Sequence, residues 1–301
     1  NQQPQWAWRS ILEPHYVSTV GGDSSVVAFA RDENLCAQLW SADHGYPGDP
    51  VYLEFHKKAP VSALRYWRVT DRKLTLGAKK LYPPEIAQNR ARLHAYHFAN
   101  LVEQTLRHYS HSGRQGTLTC CFDAELFGHW WFEGIHFLQA LFQELSRKEG
   151  VRVCTSTQAI KNSPPDKVVW IPECSWGEES DHRVWLNDKT LWIWNAIHIA
   201  EERYHTLQAK LKNHAMTEGD QLQTLVQQLR WNFLLLQASD WPFVIHNNSA
   251  TDYGHQRFSV HLQRFERLFS VIEKRLLGVP LSEREELQVR EAEMHEPLPK
   301  I

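Results

Sequence analysis

Residues 117–134 read Thr117-Leu-Thr-Cys-Cys-Phe-Asp-Ala-Glu-Leu-Phe-Gly-His-Trp-Trp-Phe-Glu-Gly134. The first six are β-branched, apolar or thiol-bearing, lack Gly and Pro, and follow the Gly113/Gly116 turn, which predicts a buried strand over Thr117–Phe122. Alternation along a strand sends Leu118, Cys120 and Phe122 to one face, and Thr119, Cys121, Asp123 and, if the extension continues, Glu125 to the other. The apolar set suits packing against helices; the small, polar set suits the inside of a barrel or the floor of a cleft. Asp123 falls at the C-terminal end of the strand, where parallel α/β architectures carry their chemistry. His129, Trp130 and Trp131 follow closely. A carboxylate beside flat aromatic surface fits a sugar site, in which an acid protonates a glycosidic oxygen while the apolar pyranose faces lie on indole. The same residues also fit a plainer arrangement, with Asp123 capping the next helix and the tryptophan pair in the core.

Working outward, residues 134–150 predict a helix with Phe137, Leu138, Leu141, Phe142 and Leu145 on its buried face, and Lys167–Ile171 a further strand. Upstream, Ser24–Arg31 predicts a strand, Asp32–Trp40 a short helix, residues 40–50 a Gly- and Pro-rich loop, and Leu64–Thr70 a third strand. Tyr82-Pro-Pro-Glu85 opens a long helix, with Pro84 in its first turn and Ile86, Leu93, Tyr96/His97 and Leu101 at helical spacing. Strand and helix alternate, which argues for α/β with a parallel sheet or barrel, although the strands are too few to close a barrel. From Lys189 onward the strands stop. Thr190–His214, Asp220–Ala238, Gly254–Leu277 and Ser282–Met294 predict helices, the third with a narrow seam of Phe258, Leu262, Phe265, Phe269, Ile272 and Leu276. Ser239–Ile245, running on to Tyr253, reads as a non-helical insertion. The expected fold class is α/β followed by all-α, with an α/β unit over 1–187 and a helical bundle over 188–301.

Composition narrows the function. The 301 residues, 42% hydrophobic, suffice for one large or two modest domains. A formal charge of -2 argues against nucleic acid or an anionic membrane as partner. Thirteen Trp suggest stacking platforms in a carbohydrate cleft, although large cores also consume Trp. Five Cys cannot all pair, and none stands in a CxxC or Cys/His zinc spacing; the vicinal Cys120-Cys121 reads as two core thiols, and a reducing, cytoplasmic setting follows as the expectation. No secretory apolar region opens the chain, no apolar run approaches a membrane span, and the first residues read as the middle of something. His94 and His97, one helical turn apart, have a spacing that could bind metal, but no third ligand is recognisable; no metal and no other cofactor is expected.

Asp123-Ala-Glu-Leu-Phe-Gly-His-Trp-Trp-Phe-Glu-Gly134 resembles the signature that carries the general acid/base of glycoside hydrolase family 57, in its branching-enzyme branch. The resemblance makes Asp123 the catalytic acid/base. Arg31-Asp32, Trp40-Ser41 and Gly45-Tyr-Pro-Gly-Asp49 resemble the segments that line the family's glucan site, which implies that Arg31, Trp40 and Gly48 bind substrate; by themselves Arg31 fits a strand-end salt bridge and Gly48 a turn glycine. Trp130 and Trp131 join the substrate-binding set as aromatic surface. Pro172-Glu-Cys-Ser-Trp-Gly177 resembles the last signature, whose Trp, here Trp176, stacks on substrate; Glu179-Ser180 stand where the family usually shows Gly-Gly. Ser239-Asp-Trp-Pro-Phe243 resembles a segment that turns back to the cleft, implying a glucan contact at Asp240, although Ser239-Asp240 also fits a helix end with Trp241 in the bundle core. Ser249 stands where the family has a substrate-contacting Gln, and its shorter side chain weakens that assignment.

As a whole the resemblance implies the C-terminal part of a seven-stranded β/α barrel followed by a helical domain. It also implies retaining transglycosylation of an α-1,4-glucan to α-1,6 branches. The family's nucleophile is a Glu upstream of residue 1, so the expected partners are the glucan and the missing N-terminal barrel segment; Glu173 has only a superficial likeness to that motif. The alternatives are a 4-α-glucanotransferase or α-amylase of the same family, separated by product linkage, and a non-catalytic glucan-binding or regulatory subunit.

Overall fold

A computed structural model describes residues 10–19, 22–41, 44–212 and 221–294. The first nine residues, and the expected helix ends at His214 and Asp220, lie outside the described residues. The chain divides into two compact units, Asn1–Ile171 and Pro172–Ile301.

In the first unit β1 (His15–Thr19) and β2 (Gly22–Ala28) form an antiparallel hairpin with His15 opposite Ala28 and a bulge between Tyr16 and Ser18. A two-residue β3 (Val168–Val169) pairs parallel on the other edge of β1, giving the order β2-β1-β3. The sheet is therefore small and mixed, and among the described residues it does not close into a barrel. Thr117–Phe122 is extended, but its ladder is a single parallel bridge between Arg31 and Thr119, fastened by Asp32 N–H to Thr119 O at 2.9 Å. Leu64–Thr70 likewise pairs only at Leu53–Arg68 and Trp67–Leu81. Side-chain type sets the extended conformation in both runs, whereas a ladder also needs a neighbour in continuous register. The alternation itself holds: Leu118, Cys120 and Phe122 pack against the helical core, while Cys121, Asp123 and Glu125 are exposed. Cys121 is thus not a core thiol, because the pleat that buries Cys120 turns its neighbour out.

Asp32 caps α1 (Glu33–Trp40) by accepting the Leu35 N–H at 2.9 Å. The long helix α2 runs Pro84–Ser110, but its buried stripe is Ala87, Ala91, Ala95 and Ala99 with Phe98 and Val102; Ile86, Leu93 and Tyr96 are exposed. Alanines four apart present a low surface to α3 (Gly134–Ser146), so the large side chains on the other faces are left outside. On α3 the buried face is Phe137, Leu141 and Leu145, and Phe142, about 100° round the helix from Leu141, is exposed. A Cβ at Gly134 would stand 2.8 Å from the Phe127 Cα, so the helix can start there only on glycine. α4 (Ser156–Asn162), absent from the sequence reading, opens on a capping box between Thr155 and Gln158. A buried ammonium braces this unit: Lys79 Nζ meets Glu54 at 2.6 Å and donates to Val69 O at 2.6 Å and Asp71 O at 3.0 Å.

The second unit contains α5 (Leu191–Leu211), α6 (Gln221–Leu236), α7 (Asp240–His246), α8 (Thr251–Leu276) and α9 (Glu283–Met294). Its core is apolar, with Phe258, Phe265 and Ile272 of the α8 seam buried and Leu262, Phe269 and Leu276 packed against them. Residues 240–246 are helical, not an irregular insertion; Pro242 lies in the first turn, where a missing N–H breaks no intrahelical bond. Gly254 lets α7 approach α8, since a Cβ there would be 2.8 Å from Val244. The loop 172–187 belongs with the helices, unlike the boundary expected at 187/188, because Trp194 Nε1 and Thr190 Oγ1 both donate to Trp185 O, at 2.8 and 2.7 Å. No helix among the described residues is long and apolar enough to cross a membrane.

Candidate functional site

Asp123 ends the extended segment in a β conformation, ahead of a short 3-10 turn over Ala124–Leu126, and its side chain makes no capping hydrogen bond. The carboxylate is exposed and pairs with no cation among the described residues, so the helix-cap arrangement does not account for it. Past the turn the chain folds back: His129 and Trp130 N–H donate to Glu125 O at 3.2 and 3.1 Å, and Gly128 supplies a positive φ of 98°. This fold-back separates the two tryptophans. Trp131 is 2% exposed, wedged among Tyr52, Phe127 and Phe137 with ring centroids 5.0–6.3 Å away, and has no face to offer a sugar. Its expected role as substrate platform is therefore corrected to that of core anchor. Trp130 is 48% exposed and rests beside Phe55 at 4.9 Å, with the Arg65 guanidinium 4.7 Å over that ring. Phe55 and Arg65 carry no local sequence signal and join Trp130 only through space.

The loop after α1 is fastened to α2. Tyr46 OH meets His97 Nδ1 at 2.6 Å, Tyr52 OH meets His94 Nδ1 at 2.7 Å, and the Tyr46 ring stacks on His94 at 4.3 Å. Both histidines are thereby taken by tyrosines, and no group of three metal-ligating side chains occurs among the described residues. Burial holds His94 well below its ordinary range, at about 4, so at neutral pH its 3.7 Å approach to Asp49 is not an ion pair. Gly48, in the 3-10 turn Tyr46–Gly48, lies against the Arg72 guanidinium, so that a side chain there would push the arginine aside. The loop reaches the Asp123 segment through Leu53 N–H, which donates to the buried carboxyl of Glu133 at 3.0 Å; burial pushes the Glu133 pKa up. Arg31 is exposed, forms no ion pair among the described residues, and stands next to the Asp123 segment through its bridge to Thr119. Trp40, the last residue of α1, is exposed. Burial pushes the Cys120 thiol up, and Cys36 Sγ lies 3.9 Å from Cys121 O beneath the same segment.

In the second unit Trp176 is 75% exposed and meets Trp185 at 5.4 Å. Trp176, Trp185, Trp194, His182, His198 and Ser239 line a cleft of about 660 Å³. The loop beside it turns through two consecutive left-handed residues, Glu179 with φ 56° and Ser180 with φ 59°. L residues are disfavoured there, and glycine would adopt the same turn without that cost. Ser180 N–H to Gly177 O at 3.0 Å and Ser175 N–H to Ser180 O at 2.9 Å close the turn. Asp240 follows the cleft-lining Ser239 and is exposed at the start of α7, whereas Trp241 is buried and donates to Leu235 O at 2.8 Å. Ser249 is exposed just beyond α7.

A family model described as "1,4-alpha-glucan branching enzyme, C-terminal" matches residues 196–296. The chain is 39% identical over 263 residues to a 1,4-alpha-glucan branching enzyme of Thermococcus kodakarensis, an alignment that covers 86% of this chain and 38% of that protein. Among solved structures, a GH57 branching enzyme from Thermococcus kodakaraensis, crystallised with glucose and additives, superposes with a TM-score of 0.77 at 34% identity, covering 95% of this chain and 50% of that one. The GH57-type branching enzyme of Pyrococcus horikoshii gives 0.73 at 37% identity, covering 94% and 52%. The chain thus spans about half the length, or less, of the relatives it matches. By sequence and by fold the chain is similar to the C-terminal part of the glycoside hydrolase family 57 branching enzymes.

Proposed function

We propose that this chain supplies the acid/base carboxylate and part of the glucan-binding surface of an α-glucan branching enzyme, with residues 1–171 as part of a β/α barrel. One observation carries the reading: Asp123, exposed at the end of its extended segment, caps nothing and forms no ion pair among the described residues, which leaves its carboxyl group free for chemistry. In a retaining mechanism a second carboxylate, about 5 Å from the acid, attacks the anomeric carbon of an α-1,4-glucan while Asp123 protonates the departing oxygen. Asp123 then deprotonates the 6-hydroxyl of an acceptor glucose, which displaces the enzyme carboxylate and forms the α-1,6 branch. The nucleophilic carboxylate is proposed to come from outside residues 1–301; Glu173 lies open to solvent, 3.1 Å from His182. Arg31, Gly48 and the Trp130–Phe55 surface serve as contacts in the first unit; Trp176, Asp240 and, through a short hydroxyl, Ser249 serve in the second. Trp40, exposed, adds a further face for the sugar chain.

The test is Asp123→Asn in the full-length enzyme, read by iodine absorbance and by the α-1,6 anomeric signals of the product. The amide keeps the shape and loses the proton, so turnover falls by about 10²–10⁴-fold while glucan binding stays near wild type. Less than a tenfold loss would make Asp123 structural; hydrolysis or disproportionation without new α-1,6 linkages would assign the chain to an amylase or 4-α-glucanotransferase activity instead.

A further inference from the structure

We infer that His94 and His97 are positioning residues: with Tyr52 and Tyr46 they clasp the Gly48 loop onto α2, and acid opens that clasp at His94. Calling the held segment a substrate loop rests on the function proposed above; the clasp itself rests on geometry. Two tyrosine hydroxyls meet two imidazole nitrogens one helical turn apart, at 2.7 and 2.6 Å, and the Tyr46 ring stacks on His94 within 11° of parallel. Tyr52 is fully buried and its ring also meets Trp131 at 5.5 Å, the anchor of the segment that bears Asp123. The next residue, Leu53, donates to Glu133 of that same segment. Motion of the loop off α2 therefore pulls on the segment that carries the proposed acid.

The chemistry of the Tyr52–His94 bond makes the clasp directional in pH. A buried phenol donates its proton, so the His94 Nδ1 at 2.7 Å is the acceptor, and the ring hydrogen sits on Nε2, facing Asp49 Oδ2 at 3.7 Å. Protonation turns Nδ1 into a donor. Tyr52 must then redirect its own hydrogen inside a core where it has no other hydrogen-bond partner among the described residues. The charged and titratable groups facing His94 are Asp49, Tyr46 and Tyr52 from the loop and Arg90 and His97 from α2, with Glu133 on the far side of Tyr52. Asp49 favours the protonated ring; burial, Arg90 and His97 oppose it and prevail. With His94 near 4 in the closed loop and near its ordinary 6.5 when the loop opens, the open form binds more protons between those values. Closure is therefore complete above the upper value and is lost as pH falls toward the lower one.

The experiment is amide exchange of residues 45–54 in this chain between pH 7 and pH 5, corrected for intrinsic rates, with the α8 amides as control. In the wild type the loop amides open about twenty-fold more at pH 5 than at pH 7. In His94→Gln the loop exchanges fast at both values and the step disappears, whereas His97→Gln loosens the loop and keeps the step. Asp49→Asn leaves the onset of the step in place and moves only its lower end to more acid pH, read by extending the exchange series below pH 4, which tests the assignment even if His94→Gln does not fold. A step that persists without His94, that vanishes with His97→Gln, or that is absent from the wild type overturns the inference. None of these readouts involves a glucan, so they stand or fall separately from the branching assay.

Discussion

Replacing Glu179 and Ser180 together by glycine stabilises the protein, and the size of the effect follows from the backbone. Both residues sit in the left-handed region, at φ 56° and 59°. An L side chain in that conformation costs about 1–2 kcal/mol, because its Cβ crowds the following carbonyl oxygen. Glycine removes that cost at both positions but makes the unfolded chain more flexible, which returns about 0.4–1 kcal/mol for each. The net expectation is a gain of about 1–2 kcal/mol for the pair, and about half of it for either single variant. The Glu179 side chain has no hydrogen-bond or ion-pair partner among the described residues, so little else is lost with it. Urea denaturation followed by far-ultraviolet circular dichroism measures the difference at constant m. Any loss of stability would refute the argument, since it would mean that side-chain contacts, not backbone strain, govern this turn. The same variant probes function: the loop adjoins Trp176, and a freer turn weakens the hold on that indole, so glucan affinity falls while stability rises.

Lys79→Met strands the Glu54 carboxylate in the core, leaving its oxygens only the His56 N–H at 3.0 Å, and costs about 3–5 kcal/mol by denaturant titration; adding Glu54→Gln recovers part of the loss, and a double variant no better than the single would disprove the pairing. The same pair sets an acid limit. Burial raises the Glu54 pKa, but the hydrogen bonds from Lys79 and the His56 N–H outweigh it and leave the group below its ordinary 4.5, so its contribution is full above that value and fades as pH falls through the lowered one; the corresponding acid step is missing in Lys79→Met. Trp131→Ala empties a buried site and costs about 3–5 kcal/mol of stability, whereas Trp176→Ala leaves the melting temperature nearly unchanged and weakens glucan binding by about 0.5–1.5 kcal/mol. The reverse pattern, a destabilised Trp176→Ala with intact affinity, would place that indole in the core.

What the sequence by itself determined is whatever depends on neighbours along the chain. Helix periodicity located α2, α5, α6 and α8, and the pleat of Thr117–Phe122 correctly turned Asp123 outward and Phe122 inward, because both patterns are properties of a single segment. Signals of the same local kind mark two short helices: the Thr155/Gln158 capping box announces α4, and Pro242 suits the first turn of α7. What only the tertiary structure decided is which face each element presents and to whom. Nothing in Trp130-Trp131 says which indole is buried; a fold-back onto Glu125 and a space between Tyr52 and Phe137 settle it. The apolar Ile86, Leu93 and Tyr96 advertise a buried face of α2, yet the helix packs on its alanines, since close helix contact rewards small side chains as much as hydrophobicity. Likewise the Lys79–Glu54 brace and the two Tyr–His bonds join residues far apart in sequence, each neutral to local propensity. Their energies come from desolvation and through-space geometry, which exist only once the chain has brought the partners together.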